Sequence, residues 1–152
     1  MKTLARILSL LILVSVSVFF AACDGGGGED KSEKEAQIEK LVGTWTAQSV
    51  TYEGDPNPDY DNFTITIAKA SSEALTFTTS GRPAGKLTPW DASGTFTFGS
   101  PVASMLQRGD NVPVSYTVSG TNLQMTLENY SGTGYQARTG TVAGDWVFNF
   151  TK

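Results

Sequence analysis

From Gly43 onward, apolar and polar residues alternate with a period of two. Phe63, Ile65 and Ile67 enclose Thr64 and Thr66, Leu75 and Phe77 flank Thr76, and Phe96 and Phe98 flank Thr97. The pattern continues in Val112, Val114, Tyr116 and Val118, in Leu123, Met125 and Leu127, and in Trp146, Phe148 and Phe150. Such alternation predicts strands with one buried and one wet face. With a run over Thr44 to Tyr52 and a weaker one over Ala103 to Gln107, the count is eight strands. Most links between successive strands are short, and Ser119-Gly120 carries a two-residue hairpin signal. The expected fold is all-β: an eight-stranded antiparallel up-and-down barrel, closed on itself so that no edge is left unpaired.

The chain before Gly43 behaves differently. Lys2 and Arg6 precede an apolar run from Ile7 to Phe20, which has signal-peptide length and falls short of the ~20 residues of a membrane-spanning helix. Ala21 and Ala22 then meet Cys23, the single cysteine. This stretch resembles the lipobox of bacterial lipoproteins, in which the thiol receives diacylglycerol and the signal is cut off before the cysteine. The resemblance implies a signal peptide over residues 1–22, lipidation of Cys23, and a membrane partner held through acyl chains. Two or three acyl chains make release negligible.

Residues 23–40 read as a lipidated cysteine and flexible leash, beginning with four glycines and a charged run. Ser32, with Glu35 three residues on, predicts a short helix whose apolar side holds Ile38, Leu41 and Val42. Acidic residues just after the cysteine resemble the export signals of Bacteroidota surface lipoproteins, which implies the outer membrane and exposure at the cell surface. Asp24 beside the cysteine points instead, under enterobacterial rules, to the periplasmic face of the inner membrane.

Residues 41–152 form the expected barrel domain. Leu41-Val42-Gly43-Thr44-Trp45, opening the first strand after a helical turn, resembles the G-x-W start of lipocalins and their calycin relatives. It is similar in particular to lipocalin-like domains on Bacteroidota lipoproteins. In lipocalins an arginine lies across that tryptophan. Here Lys152 is the cation placed to do so, because an eight-strand meander starts and ends at one mouth, and Arg138 belongs at the other. Gly43, Trp45 and Lys152 are thus the expected structural signature.

Composition narrows the chemistry. Removing the signal removes Lys2 and Arg6, leaving nine basic against fifteen acidic side chains, net −6. That balance disfavours nucleic acid as a partner. There is no histidine, and lipidation consumes the cysteine. Serine–histidine and cysteine–histidine catalysis and histidine metal sites are excluded, and no carboxylate spacing supports glycoside hydrolysis by a pair such as Asp91 and Glu128. The reading is therefore not an enzyme, with no cofactor. Asp55, Asn57, Asp59 and Asp61 alternate like a calcium loop, but Tyr60 and Thr66 occupy the glycine and glutamate positions, so a polar turn is expected. Arg108-Gly109-Asp110 spells an integrin-binding tripeptide where a tight turn is also expected.

Two functions remain. One is a binding module holding a small apolar or glycan-like ligand. The other is a filled-core structural or interaction protein that recognises a partner surface. Nine large rings are expected to face inward: Trp45, Phe63, Phe77, Phe96, Phe98, Tyr116, Trp146, Phe148 and Phe150. They lean toward filling, since an eight-stranded barrel is just wide enough to be packed with side chains or to hold one small ligand. Strand parity brings the three long loops, Glu53 to Asp61, Ser80 to Ala92 and Asn129 to Thr141, to the mouth away from the leash. Their rings and planar cations, Tyr60, Arg82, Trp90, Tyr130, Tyr135 and Arg138, are the candidate site for a ligand or protein partner.

Overall fold

Ser32 begins the ordered chemistry of the fold. Its hydroxyl accepts from Glu35 N at 3.2 Å while the Glu35 carboxylate accepts from Ser32 N at 3.3 Å, a reciprocal cap that starts helix α1, Glu33–Leu41. The structure is a computed structural model and describes residues 31–133 and 141–152. The signal segment, Cys23, Tyr135 and Arg138 lie outside the described residues. α1 belongs to the compact unit Lys31–Lys152 and buries Ile38 and Leu41 in its core. The helix expected from Ser32 is thus present, with Ile38 and Leu41, three apart, on its buried face, while Val42 is its C-cap and is exposed.

The strands are β1 (Gly43–Tyr52), β2 (Asp55–Pro56), β3 (Thr64–Lys69), β4 (Ala74–Ser80), β5 (Ser93–Phe98), β6 (Met105–Arg108), β7 (Pro113–Ser119), β8 (Asn122–Thr133) and β9 (Thr141–Thr151). From β3 to β9 each strand pairs antiparallel with the next; β2 pairs β1 alone, β1 pairs β3, and β9 returns to β1. β2 is a two-residue flap folded back on β1, so the closed wall has eight strands, an up-and-down β-barrel. The β7–β8 hairpin turns at Gly120-Thr121, one residue later than expected, with Gly120 at φ 57°. A residue without Cβ takes that positive φ at least cost.

Two bulges adjust the wall. In β1 the pairing with β9 shifts between Ala47 and Ser49. In β8 it shifts between Leu127 and Tyr130, where Asn129 has φ 49° and its N–H donates to Asp145 Oδ1 at 2.6 Å. The extra residue lets both Leu127 and Tyr130 face inward. Of the segment from Asn129 to Thr141, expected as a long loop, residues 129–133 and 141 are strand, and Tyr130 pairs Gly144 within the sheet.

The interior is packed with rings. Phe148 lies 5.6 Å from Phe63, 6.0 Å from Phe150 and 6.0 Å from Trp146, centroid to centroid. Of the nine rings expected inside, only Phe98 is not fully buried. Ile38 and Leu41 of α1 stopper the mouth where β1 begins. The opposite mouth is stoppered by rings from two loops.

Candidate functional site

The mouth opposite α1 collects the connections 53–63, 81–92 and 109–112 and the far ends of β8 and β9. Residues 57–60 form a 3-10 turn, Pro58–Tyr60, capped by Asn57, whose Oδ1 accepts from Asp59 N at 3.2 Å. The Asp59 carboxylate pairs with Lys86 at 2.6 Å. The alternating acids here thus serve a turn and a loop-to-loop bridge, and no cluster of three metal-ligating side chains occurs among the described residues.

That turn throws Tyr60 inward. Its ring meets Phe63, Trp146 and Phe148 edge-on at 5.3 to 5.8 Å, and its hydroxyl donates to Thr88 Oγ1 at 2.8 Å. Burial pushes its pKa up to about 12. Trp90 goes deeper. Its ring has no exposed surface and lies 5.6 Å from Phe77, 5.7 Å from Phe148, 6.3 Å from Phe96 and 6.4 Å from Phe63. The indole N–H of Trp90 has no hydrogen-bond acceptor among the described residues, so what the ring supplies here is bulk.

Arg108 explains how the Trp90 loop is held. Its guanidinium is 4% exposed and lies 5.4 Å from both the Trp90 and the Tyr130 ring centroids. Nη1 donates to Pro89 O at 2.6 Å, Nη2 to Tyr130 Oη at 3.3 Å, and Nε and Nη2 form a two-point contact with Asp110 at 2.8 and 2.7 Å. Burial opposes the charge, and the bonds to Asp110 more than restore it, so the Arg108 pKa stands above its ordinary value. The hydrogen bond from Arg108 in turn holds the Asp110 carboxyl below the usual range. The arginine and aspartate of the Arg108-Gly109-Asp110 tripeptide are bound to each other, which leaves the guanidinium unpresented to a receptor.

The candidate residues thus divide. Tyr60, Trp90 and Tyr130 converge, but as buried stoppers around Arg108. Arg82, 17% exposed, donates from Nη1 to Trp90 O at 3.5 Å and stands 4.0 Å from Asp91. Arg108 is the central residue the sequence reading missed. The available signal was its parity with Leu106 on β6, which points both side chains inward.

What the mouth exposes is charge. Glu53, Asp55, Asp59, Asp61, Asp91, Asp110, Glu128 and Asp145 lie on these loops and strand ends, eight of the twelve described acidic residues, against Arg82, Lys86 and the buried Arg108.

At the other mouth, Trp45 Nε1 donates to Leu41 O at 2.7 Å, and Lys152 Nζ stands 4.3 Å from the Trp45 ring centroid. Gly43 has φ 141°, and a Cβ there would meet Lys152 Cδ at 3.4 Å. The glycine therefore serves both a backbone conformation and the passage of the lysine. No family model, curated protein or solved structure matches this chain.

Proposed function

We propose that this chain is a lipid-anchored, non-catalytic interaction module: a filled lipocalin-like barrel that meets a partner surface through the mouth away from its anchor. The observation that carries the reading is Trp90, which occupies the middle of the barrel where a calycin ligand would lie. With Tyr60 and Arg108 closing over it, the interior offers packing rather than a container. This packing favours surface recognition over the holding of a small apolar ligand.

The anchor in this reading is Cys23, with residues 1–22 as its signal, and the site of action is the outer membrane of a Bacteroidota-type cell, facing outward. The lipobox resemblance supports this. The excess of carboxylates at the far mouth favours a partner with a basic or neutral face, since like charges across an interface are costly.

A photo-crosslinking amino acid at exposed Ala84 or Asp61, compared with one at Thr76 on the wall, tests the reading in intact cells. The expected result is a discrete adduct from the mouth positions alone. Equal labelling from all three, or none, contradicts it.

A further inference from the structure

The wall of the barrel carries a second, separate feature. One lateral row runs Thr117 on β7, Gln124 on β8, Asn149 on β9 and Ser49 on β1, each the registered partner of the next. Three of their outward side chains are linked: Gln124 Nε2 donates to Asn149 Oδ1 at 2.8 Å, and Asn149 Nδ2 donates to Ser49 Oγ at 3.1 Å. The bulge in β1 turns two consecutive residues, Gln48 and Ser49, outward and adds the Gln48 amide to the row. Thr117, Gln124, Asn149 and Gln48 border an open hollow of about 310 Å³, into which Asn122 brings a fourth carboxamide. No ionisable side chain lines it.

We infer that this hollow is a docking groove for a neutral polysaccharide. A carboxamide both donates and accepts, so it can bond two neighbouring hydroxyls of a sugar ring at once. Four carboxamides around one hollow provide that capacity repeatedly, and the bonded row holds two of them in place before any ligand arrives. Ser49 anchors Asn149 from outside the hollow, and Gln124, which donates within the row, keeps its carbonyl oxygen for a ligand.

Other occupants fit less well. The absence of charge removes the attraction an anionic or cationic ligand needs. Every strand of the wall is already paired on both sides, so a peptide finds no edge to extend. Leu123 and Phe150 below the groove are 1% and 2% exposed, which leaves no apolar pocket for peptide side chains. A hydroxyl-dense, uncharged chain asks for neither. This groove is on the wall and stands independently of the mouth.

The test is affinity electrophoresis of the whole chain through native gels containing an α-glucan, a β-glucan, a xylan or a galactomannan, with polygalacturonate as the charged comparison. Retardation by at least one neutral polymer is expected, with apparent affinity falling at least tenfold in the double variant Gln124→Ala, Asn149→Ala. Because both side chains sit outside the core, the melting temperature should hold. No retardation by any neutral polymer, retardation by the polyanion alone, or retardation unchanged in the double variant would overturn the inference. Should the double variant fold poorly, side-chain amide NMR on the unsubstituted protein decides. Oligosaccharide from the retarding polymer should shift the amides of Gln48, Gln124 and Asn149, and shifts confined to the loops at the mouth would refute the groove.

Discussion

Lys152 Nζ sits over the Trp45 ring while donating to Lys40 O at 3.1 Å and Val42 O at 3.2 Å. One terminal ammonium thereby joins the last strand, the first strand and the end of α1. It meets the helix where unpaired carbonyls carry partial negative charge, and it meets the ring on its negative face. Lys152→Met should cost about 1 kcal/mol, the size of an exposed cation–π contact plus a helix-end charge. A fall of about 4 °C in melting temperature is expected by calorimetry, with Lys152→Arg close to the parent.

Arg108 and Asp110 should be unequal partners. Arg108→Ala removes the donor to Pro89 O and the cation between Trp90 and Tyr130, all inside the barrel. Loss of one member of a buried pair costs about 3–5 kcal/mol. Asp110→Ala should cost less, because its carboxylate reaches water and its loss does not undo the bond to Pro89. Urea unfolding midpoints in that order are the check, and the reverse order would mean Arg108 is not the latch of the Trp90 loop.

Two pH limits follow, one from the Arg108–Asp110 bond and one from buried tyrosines. Asp110 titrates below the usual carboxylate range when folded, because of its bond to Arg108. Its contribution is present above the unfolded value near 4 and is lost as pH falls through the folded one. Tyr60 and Tyr116 behave oppositely. Burial pushes both up to about 12, so their contribution is complete below the unfolded value near 10 and disappears as pH rises toward 12. Stability measured against pH should fall below about 4 and again between about 10 and 12. Asp110→Asn should flatten the acid limb, and the pair Tyr60→Phe, Tyr116→Phe the alkaline one.

Trp90 contributes volume. Trp90→Ala should cost about 3–5 kcal/mol through the cavity it leaves. Trp90→Phe keeps a ring and removes an indole N–H that has no acceptor among the described residues, so its cost should stay at about 1 kcal/mol. Chemical denaturation of the two variants separates bulk from hydrogen bonding.

The wall of this barrel was legible because the pleat repeats every two residues and Thr, Phe and Ile keep that period through β3, β4 and β5. Strand parity likewise placed Lys152 near Trp45. Loop direction was not legible in the same way. Nothing in Pro89-Trp90-Asp91 tells whether the indole turns outward or into the core, since that depends on the space left by Phe63, Phe77 and Phe148. Asn129 broke the period by one residue, which made Tyr130 read as loop when the bulge carries it back inside. Arg108 read as a turn residue because a cation at an inward position is unexpected until Asp110, Pro89 and two rings are brought around it.

Xenon pressurisation of crystals of the whole chain tests the filled barrel most directly, because xenon enters empty apolar cavities. The account predicts no xenon inside the wall bounded by Phe63, Trp90 and Phe148 in the parent protein, and one site there in Trp90→Ala. A well-occupied xenon site in the parent barrel would contradict it and return the chain to the ligand-holding class.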